Sequence, residues 1–225
     1  MDNQRTLILA CATVIEDMLP LLPEGMRYQV FDFGLHIQPE KLRTTLQDAV
    51  NSVDETVDTI LLGYGLCSQA VIGITSQRCT LVVPRVDDCI AIFLGTRSAY
   101  VEQCKIEPGT YYLTKGWIEV GSTPFSEYEG MVKRYGPEKA ARIQKIMLNN
   151  YKRLALIDTG QSDMGHYREY SLQTAERFDL RFEEIKGSNE MIKKMIAGDW
   201  NDEFVVVPPG ETISYEHFFT SQVKS

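Results

Sequence analysis

A chain of 225 residues that is 44% hydrophobic and 10% aromatic has material for one large core or for two smaller lobes. Its net charge of −8 excludes broad attraction to nucleic acid or to an anionic membrane, both of which repel a net anion. The first apolar stretch runs into Glu16 and Asp17, short of a ~7–15-residue secretory core, and no uncharged run approaches the ~20 residues of a membrane span. A cytoplasmic protein is expected, in which five cysteines serve as thiols or ligands rather than disulfides.

"TLILA" (6–10) reads as a first strand, and the Thr13/Glu16 pair as a capping box opening a helix just after Cys11. "YQVFDFG" is a second strand. Pro39 then opens "PEKLRTTLQDAVNSV", with Leu42, Leu46, Ala49 and Val50 on one face. "DTILLGYG" is a strand, "SQAVIGI" a short helix and "CTLVVPRV" a strand. These strands are nearly continuous apolar runs rather than alternating ones, as expected for parallel strands buried on both faces. "GTYYLTKGWIEV" alternates like an edge strand or hairpin, and Ser126 with Glu129 forms a second capping box. Pro137 opens a long helix with an apolar stripe at Ala141, Ile143, Ile146, Met147 and Tyr151. "LALIDTG", "HYREYSLQTAERF", "LRFEEIKG", "NEMIKKMIAGDW" capped by Ser188, and "EFVVVPPG" continue the alternation. The pattern predicts an α/β fold, a mainly parallel sheet with flanking helices, Rossmann-like and in two lobes, 1–125 and 126–225, joined within 105–135.

In open α/β sheets, sites form beyond the carboxyl ends of the strands. Cys11, Cys67 and Cys89 each follow a strand there, whereas Cys79 precedes one and Cys104 lies in a connection. Three thiols at one edge could hold a soft metal: zinc with an open position, or an iron–sulfur cluster with one open iron. Helix starts behind Cys11 and Cys67 would lower their pKa values. Around them stand Tyr64 and Gly65 in "GYGLCS", with the glycines turning the chain around a ligand, and Arg85, Asp87 and Asp88 in "PRVDDC". Asp88 is equally an N-cap for "CIAIFLG". In the second lobe Asp158, Thr159 and Gly160 end a strand, with His166 nearby, and Gly210 with Glu211 marks a weaker strand-end turn. No G-x-G-x-x-G, Walker loop, G-x-S-x-G or H-E-x-x-H occurs, which disfavours dinucleotide binding, P-loop phosphoryl transfer and serine hydrolysis.

"LILAC", "TILLGYGLCS", "LVVPRVDDC", "FLG" and "LIDTG" together resemble the domain of unknown function 1638 family over nearly the whole chain. That resemblance implies a bacterial or archaeal setting, frequent in anaerobes, beside corrinoid-dependent methyltransferase systems. It carries over Cys11, Cys67 and Cys89 with their strand-end neighbours. The layout is also similar to enzymes such as quinolinate synthase, which hold an open-iron cluster between α/β lobes. The leading expectation is therefore a thiolate-ligated metalloprotein, an enzyme or accessory factor of one-carbon metabolism, with a corrinoid protein or methyltransferase as partner. A module binding a small ligand or corrinoid, and an enzyme with a cysteine nucleophile, are the alternatives.

Overall fold

The computed structural model describes residues 2–67 and 69–219. Its elements run β1 (Thr6–Cys11), α1 (Ala12–Met18), β2 (Arg27–Phe31), α2 (Pro39–Asn51), β3 (Thr59–Gly63), β4 (Thr80–Pro84), α3 (Cys89–Leu94) and α4 (Arg97–Ile106). They continue with β5 (Thr110–Leu113), α5 (Lys115–Val120), α6 (Tyr128–Tyr135), α7 (Pro137–Leu148), β6 (Arg153–Asp158), α8 (Met164–Arg177), β7 (Arg181–Lys186), α9 (Glu190–Ala197) and β8 (Phe204–Val207). The chain divides into two compact units, Met1–Tyr100 with Ser188–Ser225, and Val101–Gly187.

The first unit is built on a five-stranded sheet of order β2-β1-β3-β4-β8. β2, β1, β3 and β4 are mutually parallel, and β8 pairs antiparallel with β4, Val82 opposite Val206. The apolar runs of β1, β3 and β4 are buried as expected, with Ile8, Leu9, Ile60, Leu61, Leu81 and Val82 all inaccessible, whereas β2, an edge strand, is not buried on both faces and leaves Tyr28, Gln29 and Val30 exposed. Gly63 is required by packing, since a Cβ there would stand 2.7 Å from the Ala10 Cβ on the neighbouring strand. From β1 the chain moves to β2 on one side and later to β3 on the other, so the order reverses between β1 and β3. Such a reversal opens a crevice at the carboxyl ends of the two strands.

The second unit is a three-stranded parallel sheet, β5-β6-β7. Its core joins Leu113, Leu154 and Leu156 to Phe125, Leu148 and Tyr167. Arg153 is wholly buried at the start of β6, where it donates to Thr110 Oγ1 at 2.8 Å, Gln103 Oε1 at 3.0 Å and Glu183 Oε2 at 3.0 Å. With each side of its guanidinium bonded, the charge is compensated as burial demands.

Several local expectations are corrected. Division at residue 125 fails because α9 packs on β4 and α3, and β8 pairs with β4, returning the C-terminal stretch to the first unit. "GTYYLTKGWIEV" is not a hairpin: β5 is an edge strand, and Thr114 then caps α5 by accepting from Trp117 N at 3.2 Å. Residues 69–73 form turns rather than a helix, closed by Ala70 N to Cys67 O and Ile72 N to Gln69 O. Helix α1 is capped at Cys11, with Thr13 already inside it, so the Thr13/Glu16 box does not form. Ser126 bonds Thr123 reciprocally instead of capping α6, and Glu129 pairs with Arg177. The buried stripe of α7 is Ala140, Gln144 and Leu148, leaving Ile146 76% exposed. Ser188 does serve α9, its Oγ accepting from Glu190 N at 3.3 Å.

Candidate functional site

Three of the five cysteines stand at the carboxyl end of the first sheet. Cys11 is the last residue of β1 and the N-cap of α1. Beyond β3 the backbone stays paired to the exit of β4: Leu66 N donates to Val86 O at 2.9 Å and Cys67 N to Asp87 O at 3.1 Å. Gly65 makes this approach sterically feasible, because a Cβ there would meet Val86 O at 2.8 Å and Asp88 Cα at 3.0 Å. The glycine thus serves chain-to-chain packing, in place of the expected turn around a ligand. Cys67 itself has φ +45°, a left-handed conformation costing a non-glycine residue about 1 kcal/mol or more. Cys89 opens α3, and Asp88 is the N-cap before it, accepting from Ile90 N at 2.9 Å.

Cys11, Cys67 and Cys89 are all buried and free of disulfides. Burial pushes all three thiols up, Cys67 to about 12. Cys67 is raised further by Cys11, and Cys89 by both Cys67 and Cys11, so each thiolate would feel the others. The expected lowering by helix ends is overturned. α1 and α3 are short, and no helix follows Cys67 within residues 69–74. A helix terminus offers about 0.3–1 kcal/mol, under one pKa unit, whereas full burial moves a group by up to 3–5 units.

Tyr64 lies between Gly63 and Gly65, 1% exposed, and its hydroxyl has no hydrogen-bond partner among the described residues. Burial raises its pKa, with Cys11 and Cys67 adding to the effect, which sets the phenol among the thiols. His36, in the turn Phe33–Ile37 beyond β2, stacks on Tyr64 with ring centres 5.9 Å apart. Its Nδ1 stands 3.1 Å from the Phe33 carbonyl and 3.9 Å from Cys11 Sγ. A carbonyl only accepts, so Nδ1 carries the proton; burial lowers the pKa of His36, and the neutral ring keeps its lone pair on Nε2. Sequence reasoning missed His36, although it follows a strand end just as the cysteines do.

The remaining candidates are placed as follows. Arg85 holds β8 to the end of β4, donating from Nη2 to the Phe204 carbonyl at 3.0 Å and from its amide to Glu203 O at 2.7 Å. Asp87 is exposed. Cys79 is buried at the opposite end of the sheet, its thiol donating to Val57 O at 3.4 Å, and Cys104 lies half-buried in α4. Asp158, Thr159 and Gly160 belong to the second unit, where with Glu184, Lys186 and Gly187 they line a depression of about 560 Å³ at the ends of β6 and β7. His166 is exposed on α8 against Tyr167, outside that lining.

Three thiols suit a soft metal by donor type. Among the described residues, however, no group of three or more His, Cys, Asp or Glu side chains is arranged to hold a single metal ion. No described helix is long and apolar enough to cross a membrane. No curated protein and no solved structure matches the chain. A family model does, over residues 30–196, which takes in Tyr64, Cys67 and Cys89 and leaves Cys11 outside. With most of its length matched, the chain belongs to the family described as protein of unknown function DUF1638.

Proposed function

We propose that Cys11, Cys67 and Cys89 hold an iron–sulfur cluster at the carboxyl end of the first sheet. What supports this reading is the placement of three buried thiols at or beyond the carboxyl ends of β1, β3 and β4, beside an unpartnered buried phenol, where the strand order reverses. A lone zinc is the poorer fit. With Zn–S bonds of ~2.3 Å its thiolates converge to about 3.8 Å from one another, and no described group converges on one ion. A cluster distributes its cysteines over separate irons and accepts three ligands with one iron open. When bound, it supplies electron transfer or a Lewis-acidic iron. The chain supplies the thiols, a dry surround and the Tyr64 hydroxyl as an unspent donor, and hydrogen bonds to sulfur tune cluster potentials.

A cysteine-nucleophile enzyme is opposed by the raised thiol pKa values, since the attacking species is the thiolate. The test is oxygen-free reconstitution with ferrous iron and sulfide, followed by iron and sulfide analysis of the desalted protein. Wild type and Cys79→Ser should retain both, while Cys67→Ser should lose most of each, because binding needs the deprotonated soft ligand. Retention by the Cys11→Ser/Cys67→Ser/Cys89→Ser protein equal to wild type, or none by wild type, would overturn the proposal.

A further inference from the structure

A bare sheet edge is a template for another strand, and folded proteins guard such edges with charge, proline or a covering element. The two sheets end in β2, β8, β5 and β7. β7 carries Arg181, Glu183, Glu184 and Lys186 along its length. β8 is four residues long and runs straight into Pro208 and Pro209, which lack the amide a further strand would need. β5 has Thr110, Tyr112 and Leu113 buried. None of these devices guards β2.

The backbone of β2 bonds to β1 alone among the described residues. Tyr28 is 48% and Val30 43% exposed, with Gln29 exposed between them. The one charged residue, Arg27, turns to its own chain, donating to Asp54 Oδ2 at 2.7 Å, Thr56 Oγ1 at 3.0 Å and the Gln4 carbonyl at 3.2 Å. The turns Leu19–Leu21 and Phe33–Ile37 on either side of the strand expose Leu19 and Ile37 as well.

We propose that a second copy of the chain covers this edge, β2 pairing antiparallel with its counterpart about a twofold axis at Gln29. That register engages all of Arg27–Phe31. It sets Tyr28 of each copy opposite Val30 of the other, an aromatic against a β-branched side chain, which is a favourable cross-strand pair. Positions 28 and 30 share one face of the strand, so the two pairs join into one apolar cluster across the axis. Gln29 meets its own counterpart, and a side-chain amide complements itself, donor to acceptor. No like charges oppose each other. Asp32, exposed just past the strand, would stand about 20 Å from its counterpart at ~3.4 Å per residue, beyond the ~8 Å screening length. The two five-stranded sheets become one continuous sheet, and the twofold axis closes the assembly. The edge is independent of the cysteines, so it stands or falls apart from the cluster proposal.

The experiment is sedimentation of the full chain under reducing conditions at 0.15 M salt. At about 100 µM, well above a micromolar dissociation constant, wild type should be a dimer. Val30→Lys should weaken that dimer by tenfold or more while its far-ultraviolet circular dichroism matches wild type. Gln29→Cys reads the register without added charge. Antiparallel partners lie about 4.5–5.5 Å apart at Cα, within the span of a disulfide, so oxidised glutathione should link two copies through position 29, as mapped by mass spectrometry. If Val30→Lys misfolds, the cross-link decides. A monomeric wild type, a dimer that folded Val30→Lys leaves equally tight, or a Gln29→Cys protein left unlinked at position 29 would overturn the proposal.

Discussion

Tyr64→Phe isolates the one feature of the cysteine-bearing end that a plain core does not explain. The side chain is 1% exposed and its hydroxyl has no partner among the described residues. An unsatisfied buried polar group costs about 1–3 kcal/mol. Phenylalanine keeps the ring and its stack on His36, 5.9 Å away, and removes only that cost. Metal-free protein should therefore gain about 1 kcal/mol or more, a rise of roughly 2–4 °C in thermal midpoint per kcal/mol for a chain of this size. In iron-loaded protein the sign should reverse, with faster loss of iron to a chelator, because the hydroxyl then has sulfur to donate to. Scanning calorimetry with and without reconstitution reads both signs. If Tyr64→Phe destabilises the metal-free protein by ~1 kcal/mol, the hydroxyl is partnered and the reasoning is refuted.

Iodoacetamide at neutral pH, mapped by mass spectrometry, should label half-buried Cys104 ahead of Cys11, Cys67 and Cys89, whose burial raises their pKa values; early labelling of Cys67 would revive a nucleophilic role. Gly65→Ala should cost about 1–3 kcal/mol by overpacking, since its Cβ would meet Val86 O at 2.8 Å; urea denaturation checks this, and a neutral result would mean that the exits of β3 and β4 yield easily. Asp54 is held down to about 2 from 3.8, by Thr56 first and then Arg27. A depressed carboxyl adds stability above its unfolded value and loses it as pH falls through the folded one. Acid titrations should therefore show Asp54→Asn losing less stability than wild type between pH 3.8 and about 2.

β1, β3 and β4 were legible because their apolar runs are those of parallel strands buried on both faces. The apolar run of β8 announces a strand without stating its direction or partner. Its antiparallel return to β4 depends on contacts far apart in sequence, and with it went the division of the chain. α7 was misread because apolar count favoured Ile146 and Met147, whereas packing buries Ala140, Gln144 and Leu148. His36 escaped notice because no motif flags a residue 25 positions from Cys11 in a short turn. The rule that placed the cysteines beyond strand ends, applied to β2, would have found it.

The most direct measurement of the central claim is X-ray diffraction at the iron edge from crystals of reconstituted protein grown without oxygen. Anomalous density bonded by the Sγ atoms of Cys11, Cys67 and Cys89, with Tyr64 Oη beside it and Cys79 remote from it, is the predicted result. Iron bound elsewhere, or well-ordered free thiols at all three positions with iron in the solution, would contradict it.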